Sequence, residues 1–170
     1  MTTPGNPPTP TGRVEPTDAG RDLVLTRRFR APIEDVWASI TESERTARWF
    51  ASWTGTPGPG RTVRMQMTQE EGMPESDLTI IACEPPSHLA VSAVDDDGSW
   101  HLEATLVETD GVTELTFVHH LDAAAASVSD IGPGWEYYLD LLVASRDGAT
   151  PPVFGDYDPS MRPYYAALLR

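Results

Sequence analysis

Between residues 62 and 121 one pattern repeats: an extended run with alternate apolar side chains, a tight turn, then another such run. Strands joined by short turns pair with their neighbours, so this stretch predicts a hairpin-connected antiparallel sheet. "RTVRMQM" alternates on Val63, Met65 and Met67, and the nearly all-apolar "SDLTIIACE" stops at Pro85-Pro86. "HLAVSAV" and "WHLEATLVE" follow, separated by the turn signal "DDDGS". Asp110-Gly111 then supplies the strongest hairpin signal of the chain before "VTELTFVHHL".

The flanking segments read differently. "DLVLTRRFR" is a further strand, with Leu23, Leu25, Arg27 and Phe29 on one face. Pro32 opens a helix in which Ile33, Val36, Trp37 and Ile40 share a side. Thr41 and Glu44 have capping-box spacing for a second short helix to about Trp49-Phe50, and "ASWTGTPGPG" after it reads as a loop. A loop over about 122–130 leads to a long helix carrying Trp135, Tyr138, Leu139, Leu142 and Val143 on one face, with Gly148 as its stop. The expected organisation is a flexible tail over 1–20, one domain over 21–148, and an arm over 149–170 ending in a short helix. The class is α+β: a curved antiparallel sheet of about six strands whose concave side only the long helix can cover, leaving space between them.

Composition narrows the function. A net charge of −14 works against nucleic acid and anionic membrane as partners, since both demand a basic face. All twelve basic residues are arginine, which excludes Schiff-base lysine chemistry and a phosphate-loop lysine. Arg27, Arg28 and Arg30 form the one local basic run, expected on a solvated strand face. Cys83 is alone, ruling out an intrachain disulfide or a cysteine zinc cluster, and reads as a structural thiol. The N-terminus lacks a signal-peptide pattern, and no apolar run approaches the roughly 18–20 residues of a membrane span. A cytoplasmic protein, monomeric or homodimeric and without a cofactor, is expected.

His119 and His120 are adjacent on a strand, so they point to opposite faces and cannot share one metal ion. By phase His119 follows Leu115 and Phe117 toward the helix and the cavity, while His120 faces solvent. A cavity histidine can orient a ligand or act as a general base; a structural histidine bonded at the strand end is the competing reading. No serine elbow, paired catalytic carboxylates or nucleotide loop completes a mechanism. Trp100 and Trp135 are candidates for the cavity wall beside core packing. Tyr138 offers a hydroxyl, and Met65 and Met67 an adaptable apolar wall.

The stretches "FRAPIEDVWASITESERTARWF", "CEPPSHLAVS", "GVTELTFVHHLD" and "GPGWEYYLDLL" resemble the START-like, helix-grip superfamily abbreviated SRPBCC. The closer similarity is to its branch related to the activator of the heat-shock protein 90 ATPase, over about residues 20–145. The family's glycine-rich stretch is thinned here to "GTPGPGRTVRMQM". The resemblance implies a helix-grip fold and places Trp49, Phe50 and Trp53 at a pocket mouth. It leaves several functions open, because that fold hosts lipid binders, cyclases, hydrolases and co-chaperone domains. The leading expectation is binding of a hydrophobic or aromatic small molecule, oriented by His119, Tyr138 or Trp49. A cyclase or hydrolase using His119 as general base is the second, and a co-chaperone-like module the third.

Overall fold

The computed structural model describes residues 7–95, 98–122 and 128–169. The first six residues, the centre of the "DDDGS" turn and most of the expected 122–130 loop lie outside the described residues. Among those described, eight strands make one antiparallel sheet: β1 (Arg13–Pro16), β2 (Gly20–Phe29), β3 (Ser52–Thr54), β4 (Thr62–Gln66), β5 (Glu75–Glu84), β6 (His88–Asp95), β7 (Gly98–Thr109) and β8 (Val112–Asp122). Their order is β1-β2-β8-β7-β6-β5-β4-β3, so the meander from β4 to β8 is closed on one side by the N-terminal strand pair.

The two strands beyond the expected six are the short ones at the edges. β1 lies in the segment expected as tail, where it pairs with β2 from Arg13 opposite Val24 to Pro16 opposite Arg21. β3 lies in the segment read as loop: Ser43 pins it by accepting from the Trp53 backbone N–H and donating to the Trp53 carbonyl, both at 2.8 Å. Local alternation cannot reveal strands of three or four residues held by tertiary bonds. Asp110 and Gly111 join β7 to β8 with φ of 53° and 80°, the two positive angles that a two-residue type I′ turn requires.

Helices α1 (Ile33–Thr41) and α2 (Ser43–Thr46) follow β2. The expected capping box is not made: Glu42 is the N-cap of α2 without a side-chain cap bond, and the Thr41 hydroxyl donates back to the Trp37 carbonyl at 2.7 Å. The long helix α3 (Val128–Asp147) lies across the sheet's concave face. It buries Trp135, Leu139 and Leu142 against Leu25, Leu115 and Phe117.

The arm after α3 folds back onto it. A short 3-10 turn (Phe154–Asp156) leads to α4 (Arg162–Ala167), which packs on α3 through Met161 and the fully buried Tyr165. Gly132 permits this approach, since a Cβ there would lie 2.6 Å from the Tyr165 ring. The Tyr165 hydroxyl donates to Glu136, a carboxylate only 1% exposed. Glu136 also accepts from the backbone N–H groups of Thr11 at 2.6 Å and Gly12 at 2.9 Å, and from Arg27 at 2.8 Å. Arg27 is thus largely covered, its side chain 12% exposed and bonded a second time to Asp140 at 3.0 Å, and does not lie on the solvated face its charge suggested. One buried anion therefore ties together the N-terminal segment, β2, α3 and the C-terminal arm.

Candidate functional site

Two adjoining chambers lie beneath α3. The inner one, about 370 Å³, is bounded by α1, the turn after α2 and the sheet; Trp37, Trp49, Trp53, Cys83 and Phe117 contribute to its wall. The outer one, about 880 Å³, opens between β4–β6 and the N-terminal half of α3, and Met67, Trp100, Tyr137, Tyr138 and Phe154 help to line it. Phe50, Met65, Leu78, Leu102 and Trp135 face both chambers and form the partition. Each volume lies within the ~300–1,000 Å³ range of ligand cavities.

The partition is built from aromatic contacts. Phe50 lies 5.7 Å from Trp135 and 5.4 Å edge-on from Tyr138, and the Phe117 ring is tilted against Trp135 at 4.4 Å. The Trp49 indole N–H donates to the Ser39 carbonyl and that of Trp53 to the Thr41 carbonyl, each at 2.9 Å. Both donors are spent on the C-terminal end of α1, so these rings offer apolar faces to the chamber and no polar handle. The Tyr138 hydroxyl reaches the outer rim, donating to Glu70 at 3.0 Å. Burial, then the Glu70 charge, pushes that phenol well above its ordinary range, so Tyr138 remains a protonated donor.

Nine of the ten residues expected at the site line one or both chambers: Trp49, Phe50, Trp53, Met65, Met67, Trp100, Phe117, Trp135 and Tyr138. His119 faces the helix as its phase requires but lines neither chamber. It is 2% exposed, lies 4.9 Å from the Trp100 ring, and its Nδ1 accepts the Trp135 indole N–H at 3.0 Å. The neutral ring therefore carries its proton on Nε2. Burial first, then the charges of His120 and His101, lower its pKa to about 4. His119 thus packs behind Trp100 and Trp135, which stand between it and the chambers. Trp37, expected only as part of the apolar side of α1, also lines a chamber, and Glu70, Tyr137 and Phe154 had not been expected there. Phe154 was invisible because the fold-back of the arm is a tertiary event.

His120 points to the opposite face, as expected, but is half-buried there. It sits on the convex face, where Nδ1 bonds Asp22 at 2.7 Å and Nε2 bonds Glu103 at 2.6 Å; Glu103 also holds His88 at 2.8 Å. Burial opposes a charge on His120, but the bonds to Glu103 and Asp22 outweigh it and raise the pKa. Glu103 is held below its usual range, chiefly by His88 and then His120. Among the described residues no group of three or more histidine, cysteine or acidic side chains is arranged to hold a metal ion. No helix there is long and apolar enough to cross a membrane.

The adjacent histidines give opposite pH dependences. The unfolded chain protonates residue 119 near 6.5 but the folded chain only near 4, so stability is lost as pH falls between those values, by up to about 3 kcal/mol. The His120 contribution is fully present below its unfolded value of 6.5 and is lost as pH rises through its higher folded value. Denaturant titrations from pH 4 to 8 should therefore show His119→Gln flattening the acid loss and His120→Gln removing stability mainly below neutrality. Wild-type acid sensitivity in the His119 variant would refute the first assignment.

Comparison with known proteins agrees with this architecture. The family model described as Activator of Hsp90 ATPase homolog 1-like protein matches residues 30–145. The crystal structure of CalU16 from Micromonospora echinospora is 24% identical, with a TM-score of 0.74 over 95% of this chain and 98% of that one. The solution structure of the protein encoded by gene BPP1335 of Bordetella parapertussis is 25% identical, with a TM-score of 0.72 over 98% of this chain and 94% of that one. DynU16, from the dynemicin biosynthetic locus, is 19% identical, with a TM-score of 0.66; the match spans 76% of this chain and 48% of that one. No curated protein matches the chain. The shared fold is the helix-grip arrangement, an open antiparallel sheet around a long C-terminal helix.

Proposed function

The chain belongs to the family of Activator of Hsp90 ATPase homolog 1-like proteins, and on that premise we propose that it binds a small hydrophobic or aromatic molecule in the joined chambers under α3. The observation that carries this reading is the pair of cavities meeting at Phe50 and Trp135, with aromatic rings, methionines and aliphatic side chains in their walls. Burial of apolar ligand surface supplies the affinity, at roughly 25 cal/mol per Å² before the losses of association. Tyr138, whose hydroxyl already sits at the rim, supplies orientation. Turnover with His119 as general base has no geometric support, because Nδ1 is engaged by Trp135 and the ring lies outside both chambers.

Native mass spectrometry on protein purified without added ligand tests the proposal. A reproducible mass excess of small-molecule size is expected, released on denaturation and identifiable in the extract. Ala93→Phe places a ring in the outer chamber and should abolish that excess while the protein remains folded. An excess that persists unchanged in Ala93→Phe would place the molecule elsewhere and contradict the reading.

A further inference from the structure

The outer chamber carries a chemical bias that its apolar walls do not explain. Glu70, Glu75 and Asp130 contribute to its lining, and among the described residues no arginine or histidine does. Two of these carboxylates have cationic partners: Asp130 is bound by Arg162, and Glu75 lies 3.8 Å from Arg64. Glu70 forms no ion pair among the described residues; its one side-chain partner is the neutral Tyr138 hydroxyl, which fixes Oε1 at 3.0 Å. Burial and the neighbouring carboxylate both keep that hydroxyl protonated, so it does not relieve the negative charge.

Beside this carboxylate stand the rings of Tyr138, Phe50 and Trp135, in mutual contact at 5.4–5.7 Å, with Trp100 on the facing wall. Aromatic faces are electronegative and attract a cation, most strongly where water is partly excluded. A net charge of −14 adds a long-range field of the same sign. An anionic ligand would meet electrostatic opposition here, and a neutral one would gain apolar contact with the rings but no charge preference.

We propose that the outer chamber selects hydrophobic or aromatic molecules bearing a protonated amine, with the ammonium group seated between Glu70 and the Phe50–Trp135–Tyr138 rings. The aromatic body of such a ligand extends past the partition toward Trp37 and Trp49. This rests on the ligand-binding reading above and adds the charge class of the ligand. Because Glu70 is exposed, the ion pair alone contributes little, and the selectivity comes from its combination with the ring faces.

Isothermal titration of the full chain with biphenylmethylamine, biphenylmethanol and biphenylcarboxylate at pH 7 tests it. These probes share one apolar body and differ in charge. The amine is expected to bind about 10-fold tighter than the alcohol, and the carboxylate weakest of the three. Glu70→Gln should reduce the amine preference about 3–5-fold, whereas Glu15→Gln, an equal charge change at the far edge strand, should leave it intact. Equal binding of all three probes, or a preference for the carboxylate, overturns the charge inference and leaves the cavity reading standing. An amine preference unchanged in Glu70→Gln, or lowered equally in Glu15→Gln, overturns the assignment to this carboxylate. Failure of all three probes to bind overturns the cavity reading itself and this inference with it.

Discussion

Arg27→Leu is expected to destabilise the protein by about 3–5 kcal/mol, seen as a fall in both the denaturant midpoint and Tm. The reason lies in what stays behind. Glu136 is 1% exposed, and Arg27 is the one cation bonded to it among the described residues, at 2.8 Å. The N–H groups of Thr11 and Gly12 and the Tyr165 hydroxyl would remain, but hydrogen bonds do not neutralise a buried charge. Burial raises the Glu136 pKa and these bonds and the guanidinium together reverse that, leaving it below its usual value. Without Arg27 the carboxyl should titrate upward, and stability near neutral pH should fall. The paired change Arg27→Leu/Glu136→Leu should recover part of the loss, since two apolar groups leave no orphaned charge. A single-variant loss below about 1 kcal/mol would show that the anion is compensated by other means.

Trp135→Ala should cost about 3–5 kcal/mol as well, for a different reason. Trp135 is 5% exposed and touches Phe50, Phe117 and Tyr138 within 5.7 Å between ring centroids. Its removal merges the two chambers and strips His119 of the donor on Nδ1. Imidazole NMR should then find His119 titrating closer to 6.5 than to 4, as water reaches the ring. Trp135→Phe keeps most of the packing and should cost less. A His119 titration unchanged in Trp135→Ala would mean that other burial, not this wall, sets its pKa.

Most of the core sheet and the long helix was legible because each signal was local. Alternation set the phase of β4 to β8, Asp110-Gly111 set the hairpin, and Gly148 with φ of 65° ended α3 where expected. Phase also outperformed chemistry at two positions. It placed Arg27 on the face of Leu23, Leu25 and Phe29, where the ion pair with Glu136 indeed lies, although the charge alone argued for solvent. It likewise sent His119 inward, yet could not say whether that meant the cavity or the packing behind Trp135. β1 and β3 have no local pattern of their own, and the C-terminal arm, whose short helix was expected, carried no local sign of its seat on α3. Each is held by bonds to residues distant in the chain, as with Thr11 and Gly12 on Glu136, Trp53 on Ser43, and Tyr165 over Gly132. Trp49, Phe50 and Trp53 were foreseen through the family resemblance, and Met65, Met67, Trp100 and Trp135 as large apolar residues of the strands and helix that face each other. Glu70 was not, since a surface carboxylate carries no signal until Tyr138 is seen to fix it.

If the space under α3 is a binding site and not a packing defect, a fitting ligand must enter it. The most direct test is an NMR titration of the folded protein with biphenylmethanol, following the indole N–H signals of Trp37, Trp100 and Trp135 and the methyl signals of Met65 and Met67. Saturable shifts are expected at these groups, while His88 and His120 on the convex face stay unmoved. Saturable shifts confined to the convex face, or none at the chamber residues up to the solubility limit, would contradict it.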